Sequence, residues 1–323
     1  MNPSANTPHE RLAHVPVALF ASVMGMAGLA IAWTKAHHVA GAPLEVAWVL
    51  RWMASGLYAF LLALYGAKLL RHTQAVKVDW AHSVRMNFFP AMSIGLLLLS
   101  IAWAQDAPAA AFWMWGFAAA LHLAFTLAVM GSWIHQPHYT IQHANPAWFI
   151  PVVGNIIVPI AGVRFAPLDV SWFFFSIGLV FWLVLMTIVL YRLFFHEPLP
   201  ARLTPTLFIL IAPPAVGFLA YVGLIDRLDG FARVLYFTAL FLTLLLSSRA
   251  ISFFRLPFFI SAWAYTFPLA ALTIATFEMG ARSHQAFYTG LGWILLAVVS
   301  SAVGLISFKT VLASVQGKVF APE

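Results

Sequence analysis

The side chains able to do chemistry are few and poorly grouped. HQPHYTIQH places His135, His138 and His143 in one stretch, three of the twelve histidines in the chain. Three imidazoles can hold a metal, but this spacing does not fit one face of a helix, and no cysteine or carboxylate accompanies them. Solvated loop histidines are the expectation, with no metal site. His122 stands in an apolar stretch where a haem ligand could sit. No second histidine occupies a neighbouring stretch at matching depth, so a packed histidine with a local hydrogen bond is expected. The chain has no cysteine, which excludes thiolate nucleophiles, thiolate metal sites and disulfides. SHQAFYTGLGW holds glycines with no preceding strand, so a phosphate-cradling loop is not supported. No cofactor is expected.

The elements around these residues are apolar. Of 323 residues 63% are hydrophobic and 8% charged, against about 25% charged in an ordinary soluble domain. Segments of about 20 apolar residues, enough to cross roughly 30 Å of hydrocarbon, fall at 15–34, 44–69, 86–104, 109–134, 147–165, 170–194, 205–225, 231–253, 257–279 and 286–313. The expected fold is all-α and membrane-embedded, one polytopic domain over 1–323 with short tails. An even number of crossings puts both termini on one side, and that side holds eleven of the seventeen basic residues, from Arg11 to Lys318. The positive-inside rule makes it cytoplasmic, in an inner (plasma) membrane. The net charge of +7 is spread over short loops, so nucleic acid is not an expected partner.

Proline alternates along these segments. Pro16, Pro90, Pro151, Pro159, Pro213, Pro214 and Pro268 all fall in odd segments, and none falls within an even one. A helix-interior proline removes a donor and clashes with the preceding turn, at about 3 kcal/mol. Irregular backbone persists in a membrane only when buried in protein or facing a watery cavity. The odd segments also carry small or weakly polar residues: Gly25, Ser93, Gly154, Asn155, Gly217 and Thr266. The expectation is five helical hairpins, with an inner ring of five odd helices kinked at Pro151, Pro159, Pro213, Pro214 and Pro268, enclosed by five even helices. Those small residues are the expected lining of a central path. Asn155 has two readings of equal weight, a pore-lining amide or an interhelical hydrogen bond.

The ten acidic residues all fall in loops, tails or helix ends. Proton relays and cation sites need intramembrane carboxylates, so a cation pump is disfavoured. Midspan Lys and Arg are absent as well, so a passing anion would be held by dipoles, hydroxyls and amides. Weak holding favours fast conduction.

Four stretches carry a resemblance: VPVALFASVMGMAGLAIAW, MNFFPAMSIGLLLLS, NPAWFIPVVGNIIVPIAG and SAWAYTFPLAALTIAT. Together they resemble the tellurite-resistance/dicarboxylate transporter family, TehA-like and related to plant slow anion channels, over essentially the whole chain. The resemblance implies a homotrimer whose protomers each enclose a five-helix pore for small anions. It also implies that Phe267, before Pro268, plugs the pore, and that Gly25 keeps the wall close to the ion path. The residues alone favour Phe267 packing outward against an even helix, as most membrane phenylalanines do, and the resemblance reverses that balance. Tellurite, nitrate, chloride, sulfite and malate are not separable by sequence. The alternative to an anion channel is a proton-coupled carrier of C4-dicarboxylates or sulfite. A membrane enzyme or cytochrome would need a bound cofactor.

Overall fold

The computed structural model describes residues 8–137 and 139–320. These residues are mostly helical, with no strand among them. Ten helices are long and apolar enough to cross a membrane: Val17–Ala40, Leu44–Arg71, Arg85–Trp103, Pro108–His135, Pro146–Phe165, Leu168–Phe195, Thr204–Ile225, Gly230–Ser247, Ile260–Ser283 and Ala286–Val315. We call them spans 1 to 10.

Each odd span packs against the even span that follows it, making five hairpins. Their turns are short, at residues 41–43, 104–107, 166–167, 226–229 and 284–285. Span 1 turns through Gly41 at φ 71°, whose N–H donates to the His37 carbonyl at 3.0 Å. Glycine takes this left-handed cap without the Cβ clash that burdens other residues. In the fourth turn, Asp229 accepts from the Ala232 N–H at 2.9 Å and from the Tyr221 hydroxyl at 2.8 Å. The Ala232 N–H bond is the main reason its carboxyl lies below the usual carboxylate range.

The odd and even spans differ sharply in burial. In the most apolar part of each odd span 72–89% of residues are buried, against 22–39% in the even spans. The odd spans also pack on one another in a closed sequence: first on third, third on fifth, fifth on seventh, seventh on ninth, ninth on first. Indole donors stitch the two sets together. Trp103 Nε1 donates to Ser55 at 3.0 Å, Trp115 to the Val158 carbonyl at 3.0 Å and Trp263 to Thr310 at 3.0 Å. The outward faces of even spans present large apolar side chains such as Trp113, Phe117 and Phe241, as contact with lipid requires.

Every odd span contains a 3₁₀ segment, at Val17–Leu19, Arg85–Phe88, Pro146–Trp148 with Gly154–Ile157, Thr204–Ile211 and Ile260–Tyr265; no even span does. The prolines mark the joins. Pro159 and Pro213 occupy the first two positions of the α-helices that follow, and Pro268 the third residue of Thr266–Ser283. Pro214 and Pro151 are likewise third in their helices. The prolines thus stand at the joins between 3₁₀ and α winding, inside spans whose backbone stays helical from end to end. A proline lacks the donor that would close the turn behind it, and the change of winding at these joins accommodates that loss.

Three boundaries also differ from the expectation. Span 1 continues past residue 34 to Ala40 because its polar end is satisfied: Lys35 pairs with Glu278, and His37 Nδ1 lies 2.7 Å from the Ala42 carbonyl oxygen. Span 9 runs to Ser283, so Glu278 lies within the helix, flanked by Lys35 and Arg282. Span 8 stops at Ser247, and Ala250–Phe254 forms a separate short helix.

Candidate functional site

Three cavities lie in series along the bundle. A wide one of about 870 Å³ opens at the end that carries both chain ends, lined by Ala13–Ala18 and by residues from Lys309 to Val319. A small one of about 60 Å³ follows, and one of about 350 Å³ opens toward the opposite end. Ala18, Phe88, Ile260 and Ser261 line both the wide and the small cavity. Ile157, Val216 and Phe267 line both the small cavity and the one beyond it. Phe267, 8% exposed, thus stands between two cavities.

All residues around the small cavity belong to odd spans. Its wall is almost wholly aliphatic and aromatic, and no charged side chain contributes to it. Pro213 and Pro268 lie on this wall, which explains their placement. A proline ring at the start of an α-helix presents carbon, and no amide, to the cavity.

The charged groups lie at the two mouths. In the wide vestibule the buried Lys68 donates to the Val15 carbonyl at 2.9 Å and to Asp79 Oδ2 at 2.6 Å, while Arg85 donates to Asp79 Oδ1 at 3.2 Å. In the narrow vestibule Glu278 accepts from Lys35 and, at 2.5 Å, from Arg282 Nε. Arg282 also reaches Asp226 at 3.2 Å. Each mouth therefore carries a carboxylate clasped by a lysine and an arginine.

The small residues expected along the path divide into two groups. Gly154 lines the small cavity. Ser93, Asn155, Gly217, Thr266 and Gly25 do not line it or the narrow vestibule; they sit between helices. A β-carbon on Gly25 would lie 2.1 Å from Thr266 Oγ1, and one on Gly217 would lie 3.1 Å from Ile156 Cδ1. Close approach of neighbouring helices is what needs them small. Thr266 spends its hydroxyl on the Trp263 carbonyl at 2.7 Å. Asn155 donates to Thr126 Oγ1 at 2.8 Å and to the Val152 carbonyl at 2.7 Å. Of its two readings, the interhelical bond is the one seen.

His122 is fully buried behind Gly154. Ser93 Oγ donates to the Pro90 carbonyl at 2.8 Å and lies 2.9 Å from His122 Nδ1. That leaves Nδ1 as the donor to Ser93 and Nε2 as an unpartnered acceptor. His135 and His143 bond locally, to the Gly131 carbonyl and to Thr140; His138 lies outside the described residues. Among the described residues no group of three metal-binding side chains occurs.

Sequence reasoning gave Gly28, one of the small residues of the first odd segment, no place on the path. A β-carbon there would lie 3.2 Å from Phe267 Cδ2 and 3.1 Å from Ala270 Cβ. It also missed Phe88, Ile157 and Val216, whose ordinary apolar types carry no signal of a cavity wall. Gly28 had one, its position one turn after Gly25 on the same helix face.

Comparison with known proteins bears on this arrangement. The family model SLAC1, described as a voltage-dependent anion channel, matches residues 14–311. The chain is 25% identical over 317 residues to the tellurite resistance protein TehA homolog of Haemophilus influenzae, covering 95% of this chain and 93% of that protein. It is 28% identical over 315 residues to the S-type anion channel SLAH3 of Arabidopsis thaliana, covering 93% of this chain and 48% of that one. To the guard cell S-type anion channel SLAC1 of the same plant it is 25% identical over 314 residues, covering 93% and 56%. It thus spans about half the length of these plant relatives. With five hairpins whose broken members wrap an apolar throat, and a family match running from His14 to Val311, the chain belongs to the SLAC1 family.

Proposed function

We propose that the chain is a membrane channel for small inorganic anions, with its path along the three cavities and Phe267 as the gate. The position of Phe267 between two cavities carries this reading. A benzyl group in a narrow carbon-lined throat blocks it sterically and excludes water, and an ion cannot pass a dry constriction without losing its hydration shell. The lack of formal charge around the small cavity fits rapid passage, since a tightly held ion does not leave. Basic groups on the wall of the wide mouth draw anions toward the throat. The relatives named as anion channels point to the same class of cargo.

In this reading the chain is one membrane domain with both termini cytoplasmic, so the wide vestibule faces the cytoplasm. The excess of basic residues at that end supports the orientation. Three copies assemble, each with its own path, and the apolar outer faces of the even spans meet lipid and one another. Tellurite would be one of several anions able to use the path.

Phe267→Ala tests the gate. In voltage-clamped cells it raises the anion current several-fold over the parent channel at equal surface expression, and the current reverses near the anion's equilibrium potential. Unchanged current at normal surface expression overturns the proposal. Saturable, proton-dependent uptake with little current would favour the carrier.

A further inference from the structure

The two vestibules are unequal in charge as well as size. Among the described residues Lys68, Arg85, Arg202, Lys309 and Lys318 line the wide one with one carboxylate, Asp79, which Lys68 and Arg85 share, so that Lys309 and Lys318 stand in excess on its wall. The narrow one has Lys35 and Arg282 against Glu278, and Asp226 bonds Arg282 from outside. Between them lies a throat without formal charge, so the difference in potential is not evened out along the path. A basic recess with low-dielectric walls raises the local concentration of counter-ions.

From this asymmetry we infer that the wide vestibule is an anion reservoir, binding small monovalent anions diffusely at its basic wall and making conduction directional at low salt. The inference rests on the proposed channel. When voltage drives anions from the wide vestibule into the throat, they start from an enriched pool. When it drives them the other way, they start from a nearly neutral mouth. Anion flow out of the wide vestibule therefore exceeds the reverse flow at equal and opposite voltage. Because the effect is electrostatic and solvent-exposed, salt must abolish it.

The experiment uses the full chain carrying Phe267→Ala, in excised patches under symmetric potassium nitrate. Screening lengths of roughly 30 Å at about 10 mM and roughly 3 Å at about 1 M set the two conditions. At the lower concentration the outward anion flow is expected to be roughly two- to tenfold larger than the inward flow; at the higher one the two are equal. Gln316, exposed on the same wall, supplies a control of sign. Gln316→Lys enlarges the ratio and Gln316→Glu reduces it, whereas a merely structural disturbance moves both the same way. Equal flow in both directions at low salt, or a ratio insensitive to the charge at residue 316, overturns the reservoir while leaving the channel intact. A Phe267→Ala chain that reaches the surface and carries no anion current overturns the channel, and the reservoir with it.

Discussion

The ring of Phe267 rests against the backbone of Gly28, so closely that a β-carbon on Gly28 would stand 3.2 Å from Phe267 Cδ2. The ring is thus seated from span 1, although it is carried by span 9. The same β-carbon would stand 3.1 Å from Ala270 Cβ, an atom fixed to its backbone. The ring can yield into the cavities on either side of it, but Ala270 can yield only if the two spans part.

Gly28→Ala should therefore both unseat the ring and strain the contact between spans 1 and 9. The expected outcome is a lower melting temperature in detergent, at a cost of about 1–3 kcal/mol as for other overpacked cores. The anion current should lie above that of the parent and below that of Phe267→Ala. Adding Phe267→Ala to Gly28→Ala should produce no further rise over Phe267→Ala alone, because both act through the same ring. Purely additive currents would show that Gly28 acts elsewhere.

Ser93 and His122 supply a second test, because their bond is buried and local. Removing the hydroxyl in Ser93→Ala takes away the Ser93–His122 bond and leaves the imidazole only the Pro90 carbonyl, which should cost about 0.5–1.5 kcal/mol. The change should appear in thermal stability, with ion selectivity preserved, since neither residue lines the small cavity. Altered selectivity at unchanged stability would contradict this placement.

Pro268 supplies a third. It stands where 3₁₀ winding gives way to α and the backbone is already arranged around its missing donor, so Pro268→Ala should change stability by less than about 1 kcal/mol. Leu183→Pro, at an exposed position inside span 6, should cost about 3 kcal/mol or more. Thermal melts of the two variants beside the parent compare them directly. Equal losses would mean that the change of winding does not accommodate Pro268.

Ten apolar segments were legible in the sequence because length and hydrophobicity are local properties. Proline placement also separated odd from even segments before any contact was known. The 3₁₀ segments were not legible: a bond to the third or the fourth residue along leaves nearly the same composition. The end of span 1 was hidden by Lys35 and His37, whose partners, Glu278 and the Ala42 carbonyl, become evident only after folding. At the site, residue type revealed that Gly25, Gly217 and Thr266 are small, and gave no direction. A small residue serves equally where a cavity or a neighbouring helix comes close, and only packing distinguishes the two. Phe267 was placed by resemblance, since nothing local separates it from the other 28 phenylalanines of the chain.

The 3₁₀ stretches have one more effect, on reach. A 3₁₀ turn advances about 2.0 Å per residue where an α-helix advances about 1.5 Å. The eight residues Thr204–Ile211 therefore cover roughly 16 Å instead of roughly 12 Å. Span 7, with 22 residues beside the 28 of span 6, recovers part of the difference by stretching its coil. Winding, and not residue number alone, lets a short inner stave match the height of a longer outer one.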